Sequence, residues 1–142
     1  MSLPTIEVPW VKAKLDTGAR SSSLHAFELM ELDRGGVPWV RFSVHPWQRS
    51  AEDAKVVELP VHDRRHVRSS SGHAEERPVV LLDLVLVGCR FRAEVSLTNR
   101  DEMGFRMLVG REALRQGLVV DSSRSYVGGR PSRLVRRRNR GC

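Results

Sequence analysis

The 142-residue sequence has no apolar run near the roughly 20 residues that a helix needs to span a bilayer. Its start, Met1-Ser2-Leu3-Pro4, lacks the basic and apolar regions of a secretory signal, so a cytoplasmic protein without a membrane role is expected. Only two cysteines occur, Cys89 in an apolar stretch and Cys142 at the end, which cannot build a disulfide framework. Cys89 is expected as a small core residue. There is no His-Glu-x-x-His and no Cys-x-x-Cys, and His62 and His66 fall on a predicted strand or hairpin arm, where they would share a face yet lie far apart. No metal and no other cofactor is therefore expected. A Gly-x-x-x-x-Gly-Lys phosphate loop is also missing, so any ATP dependence would belong to a partner.

What is present suits one compact domain. The chain is 40% hydrophobic and 29% charged, within ordinary globular usage. A net charge of +7 suggests nucleic acid until its distribution is considered: Arg130 to Cys142 hold six arginines and no acid, which leaves the rest nearly neutral. The expected organisation is a domain over residues 1–129 followed by a basic flexible tail over 130–142.

Helical periodicity is scarce, and short β-branched runs bounded by Gly, Pro, Asn and Ser recur. This predicts an all-β fold, a small closed barrel with one short helix. Strands are predicted over Trp10–Leu15, Trp39–Val44, Ala54–Pro60, Val79–Val87, Arg90–Leu97 and Met107–Val109, with a final one over Leu118–Asp121. Gly35-Gly36 divides a helical or loop excursion from the strand at Trp39, and Gly88-Cys89 joins two alternating runs into a hairpin. In the second run charged residues alternate with apolar ones, so one face should be wet. The helix should cover Arg111–Gln116 and end at Gly117.

The segment Asp16-Thr17-Gly18-Ala19 carries the clearest chemistry. Peptide hydrolysis without a metal or a covalent nucleophile needs two carboxyl groups, one ionised to activate water and one protonated to donate to the scissile carbonyl. Small residues around Asp16 would let two such turns meet across a two-fold axis. Thr17 offers a hydroxyl to lock the turns together, and Gly18 lets backbone approach substrate. The same four residues equally suit a β-turn in which an Asp caps its own backbone.

Met107-Leu108-Val109-Gly110-Arg111-Glu112-Ala113-Leu114 supplies a second element, which resembles the apolar-apolar-Gly-Arg signature of retropepsins. Ala13 to Ala26, Ser69 to Val80, and Leu97 to Met103 leading into Phe105 to Leu108 resemble more specifically the bacterial RimB family, long labelled ATP-dependent zinc proteases. The likeness runs from about Pro9 to Tyr126. It implies an acid-protease fold, a homodimer with Asp16 from each chain forming the dyad, and a role in ribosomal protein modification. In that family's setting an ATP-dependent ligase adds glutamates to a ribosomal protein and the peptidase removes them.

The resemblance also implies substrate-binding positions. Ala19 and Arg20 follow the catalytic residues Asp16, Thr17 and Gly18, and His25 would line the site. Arg68, Ser70 and Gly72 would belong to a flap whose arm is His62 to Arg68, and Arg111 completes the Gly-Arg signature. Viral retropepsins carry an acid where this chain has Arg20, so the acid partner of Arg111 is expected to be missing. A guanidinium beside the cleft would suit a carboxylate-rich substrate. The rival reading is a non-catalytic β-barrel module docking on ribosomal RNA or an acidic protein through its basic residues. A zinc peptidase is the third reading.

Overall fold

The computed structural model describes residues 1–47, 54–68, 72–99 and 104–138. Among these residues nine strands run in chain order as β1 (Ala13–Asp16), β2 (Ser22–His25), β3 (Phe27–Arg34), β4 (Val37–Val44), β5 (Lys55–Pro60), β6 (Asp63–Arg68), β7 (Ala74–Leu86), β8 (Cys89–Thr98) and β9 (Met107–Gly110). They are followed by helices α1 (Arg111–Leu114) and α2 (Arg133–Arg138). The all-β reading holds, with the strands divided between two sheets. Six strands are ordered β1-β9-β2-β8-β7-β6, and three are ordered β3-β4-β5.

Alternation in the sequence explains which faces meet. On β8, Ala93, Val95 and Leu97 turn inward, while Arg90 and Arg92 stay outside and both bond Asp83 on β7. On β4, Val40, Phe42 and Val44 are buried while Arg41 is exposed. These inward residues share one core with Leu82 and Leu84 of β7, Met107 and Val109 of β9, and Ala113 and Leu114 of α1. Leu3, Ile6, Val8 and Val11 close the same core from the N-terminal segment, which bridges to Val85 at Ser2.

Several local expectations are corrected. The stretch before Gly35 is neither helix nor loop but β3, and Gly35 and Gly36, both at positive φ, form the two-residue turn of the β3–β4 hairpin. In the β7–β8 hairpin the turn residues are Val87 and Gly88, both at positive φ, with Leu86 paired to Cys89. This puts Cys89 beside the turn, where it is exposed and not part of the core. Leu118–Asp121 is not a strand, and Val119 is 97% exposed. Within the basic segment Arg133–Arg138 forms a helix, its turn started by the Val135 N–H donating to Ser132 Oγ. No helix among the described residues is long and apolar enough to cross a membrane.

Candidate active site

Asp16 ends β1, whose parallel pairing with β9 sets it opposite Gly110. The chain then turns through Thr17 to Ser21 and returns as β2, which lies on the other side of β9 and runs antiparallel to it. Both ends of the turn are therefore fastened to the same short strand.

The first amides of α1 fix the turn from behind. Arg111 N–H donates to the Ala19 carbonyl at 2.8 Å and Glu112 N–H to the Arg20 carbonyl at 3.1 Å. These donors have no partner inside their own helix, so the turn satisfies them and they in turn hold it. Gly110 N–H donates to the buried Ser22 Oγ at 3.0 Å, and Ser96 Oγ donates to the Ser22 carbonyl at 3.2 Å. Approach here is too close for a side chain: a Cβ on Gly110 would stand 2.5 Å from the Ser21 carbonyl oxygen.

Within the turn, Asp16 Oδ1 accepts from Gly18 N–H at 3.0 Å and from Ala19 N–H at 3.2 Å. The carboxylate thus caps its own backbone, and this orients it. Capping and a catalytic placement are compatible, because only one oxygen is engaged by those amides. Asp16 Oδ2 is 4.0 Å from Lys14 Nζ, and the side chain is about 30% exposed. Thr17 and Gly18 are exposed beside it.

Around this centre the expected residues are distributed unevenly. Arg111 Nη1 donates to the Gly18 carbonyl at 3.3 Å, so it braces the turn through backbone. Arg20 carries the acid partner in this chain: its Nε donates to Glu112 Oε1 at 2.8 Å, and this bond draws the Glu112 carboxyl below its ordinary range. A groove of about 380 Å³ runs alongside, lined by Ser21, Ser22, Arg92, Glu94, Glu112 and Gln116. Glu94 is held by Arg65 and by His62 Nε2, and the Arg65 hydrogen bond is the main cause of its lowered pKa.

His25 lies elsewhere. Its N–H donates to the Arg106 carbonyl at 2.8 Å, four residues before Gly110 on a strand rising about 3.3 Å per residue, which puts it roughly 13 Å along from Asp16. There it neighbours Phe27, on which His45 stacks at 4.2 Å. Arg68 pairs with Ala74 where β6 meets β7, and Gly72 follows at positive φ. Ser70 lies outside the described residues. The link from this hairpin to the site is Arg65, whose charge acts on both Glu94 and Glu112. Among the described residues no three His, Cys, Asp or Glu side chains are grouped to hold a metal.

Ser22, Glu94 and Glu112 were not singled out by sequence reasoning. Glu112 follows the Gly-Arg pair directly, so its position was the available signal. Ser22 is the middle one of three consecutive serines, Ser21 to Ser23, and residue type alone does not distinguish it.

Probable alpha-L-glutamate ligases of Shewanella pealeana and Desulfotalea psychrophila are 44% and 41% identical over 125 and 120 residues. These alignments cover 88% and 84% of this chain but 27% and 26% of the ligases, so the chain spans about a quarter of the length of the curated relatives it matches. A crystal structure of a Legionella pneumophila protein of unknown function superposes with a TM-score of 0.72 at 30% identity, covering 89% of this chain and 91% of that one. Residues 1–131 match the family described as retropepsin-like aspartic endopeptidase RimB, and the chain belongs to this RimB-like family.

Proposed function

We propose that the protein is an aspartic endopeptidase, active as a homodimer in which Asp16 of each chain supplies half of a catalytic dyad. The observation that carries this is the Asp16 turn, which leaves the edge strand β1 and is braced by the α1 amides and by Gly110 at the end of the neighbouring strand β9. Two carboxyl groups about 3 Å apart cannot both ionise readily, so the pair would hold one proton between them. The ionised Asp16 takes a proton from water as its oxygen attacks the scissile carbonyl carbon. The protonated partner donates to the carbonyl oxygen. Collapse of the tetrahedral species breaks the C–N bond, and the amine leaves with a proton returned by the dyad.

The substrate class we infer is an acidic, glutamate-tailed protein in the cytoplasm, such as a ribosomal protein modified by an ATP-dependent glutamate ligase. Support comes from the guanidinium of Arg20 beside the turn and from relatives named as probable alpha-L-glutamate ligases. Thr17, Gly18 and Ala19 would contact substrate or the second turn, and the β6–β7 hairpin bearing Arg68, Ser70 and Gly72 would fold over the peptide.

Asp16→Asn tests the reading. An Asn keeps an oxygen to accept from Gly18 and Ala19, so the turn and melting temperature should survive while cleavage of a glutamate-tailed peptide is lost. Retained turnover would overturn the assignment. A chelator should leave activity unchanged; loss of activity with recovery on zinc would favour a metallopeptidase. The basic α2 favours a second reading, a non-catalytic module that docks on RNA or an acidic protein. Deletion of residues 130–142 separates the two, since only the docking reading requires those residues for all salt-sensitive binding.

A further inference from the structure

The Arg20–Glu112 pair occupies an unusual place. Arg20 belongs to the same turn as Asp16, and Glu112 belongs to the first turn of the helix that braces it. Their backbones are joined by the 3.1 Å bond from Glu112 N–H to the Arg20 carbonyl, so the charged ends meet beside the Asp16 turn. The ends themselves are in water, with side chains 78% and 40% exposed. An exposed pair of this kind gains little net stability. It is also the same chemical contact that a glutamate side chain of a substrate would make.

Resting on the peptidase reading, we propose that Glu112 holds Arg20 as an internal substitute for a substrate carboxylate, and that acidic substrate residues bind by displacing it. One carboxylate replaces another on the same guanidinium, so no charge is left unpaired on Arg20. The released Glu112 borders the groove that also contains Arg92, and the charge of Arg65 already acts on it there, opposed by that of Glu94. Exchange gives selectivity: a neutral side chain offers nothing in return for the broken pair, whereas a carboxylate restores it. Arg20 is thereby a specificity residue and Glu112 a competitor that sets how strongly acidic chains are preferred.

Binding measured by fluorescence anisotropy in the Asp16→Asn protein tests this without turnover. Glu112→Gln should tighten binding of a glutamate-tailed peptide about threefold, the scale of one exposed pair, and leave a glutamine-tailed peptide unchanged. In an Arg20→Gln background the same substitution should have no effect. Removal of a negative charge acting only at a distance would tighten binding in both backgrounds, and that result overturns the proposal, as does the absence of tightening. The charge-swapped Arg20→Glu, Glu112→Arg protein keeps the pair and should prefer a lysine-tailed peptide; retained preference for glutamate also overturns it. Turnover by the Asp16-containing protein is scored separately. Turnover without the Glu112 effect sinks this inference alone, whereas lack of both turnover and glutamate-tail binding sinks the peptidase reading itself.

Discussion

Gly110 and Ser22 touch through a single buried hydrogen bond, the Gly110 N–H to Ser22 Oγ at 3.0 Å, and this contact ties the end of β9 to the start of β2 across the base of the Asp16 turn. The two backbones approach so closely that a Cβ on Gly110 would meet Ser21 oxygen at 2.5 Å and Arg20 oxygen at 2.9 Å. Backbone cannot yield as a flexible side chain can. Gly110→Ala should therefore cost about 1–3 kcal/mol, the scale of overpacking, and push the Asp16 turn outward. A urea melt gives the stability loss, and turnover should fall further than the fraction unfolded accounts for.

If Asp16 works in a pair drawn from two chains, inactive subunits should poison active ones. Mixing wild-type protein with excess Asp16→Asn protein under conditions of subunit exchange should depress activity far below simple dilution, because every mixed dimer carries one carboxyl group too few. Activity that falls only in proportion to wild-type content would argue for a site complete within one chain.

Phe42 is fully buried between the sheets, packed in the core that β9 and α1 also enter. Phe42→Ala should cost about 3–5 kcal/mol by loss of transfer energy and by the cavity left behind. Chemical denaturation should show a lower midpoint with the slope unchanged.

Acid should weaken the fold in two stages. Burial, reinforced by the charges of Arg106 and His25 and opposed by Glu28, lowers the pKa of His45 from its ordinary 6.5. A folded value below the unfolded one means that the unfolded chain protonates first, so stability declines as pH drops under 6.5 and levels off below the folded value. His45→Gln should flatten melting temperature across this window. Further down, Glu94 and Asp83 are held below their ordinary values of 4.5 and 3.8, by Arg65 and by Arg90 with Arg92. Their contribution is complete above those ordinary values and disappears as pH falls through the lowered folded ones. Glu94→Gln should blunt the acid limb of the profile.

The sequence was most legible where local pattern and fold coincide. Alternation in Arg90 to Val95 gave a strand with a wet face, and the Gly110-Arg111 step gave the strand-to-helix junction beneath Asp16. It was least legible where pairing is remote. β3, with exposed Glu28, Leu29, Met30 and Glu31, has no clean period, and it is a strand because β4 pairs with it past a register shift between Phe27 and Met30. Leu118 to Val120 has strand composition without a ladder partner among the described residues, which composition cannot foresee. In the candidate site, the turn at Asp16, Thr17 and Gly18 could be read from residue type and order. Arg20 could be named but not its partner, because the Glu112 contact joins residues 92 positions apart.

That separation also dictates when the Asp16 turn can exist during synthesis. The turn is made before β9 and the α1 amides that hold it, which are encoded some ninety residues later, as the spans of 88 and 93 positions for the Gly110–Ser22 and Arg111–Gly18 bonds record. Until that last strand emerges, the nascent chain has an aspartate but no fixed geometry around it. Non-local closure of this type is slow to form. If Asp16 is half of a dyad, that dyad would be harmless to its own unfinished chain, because the turn is ordered only after β9 and α1 have been made.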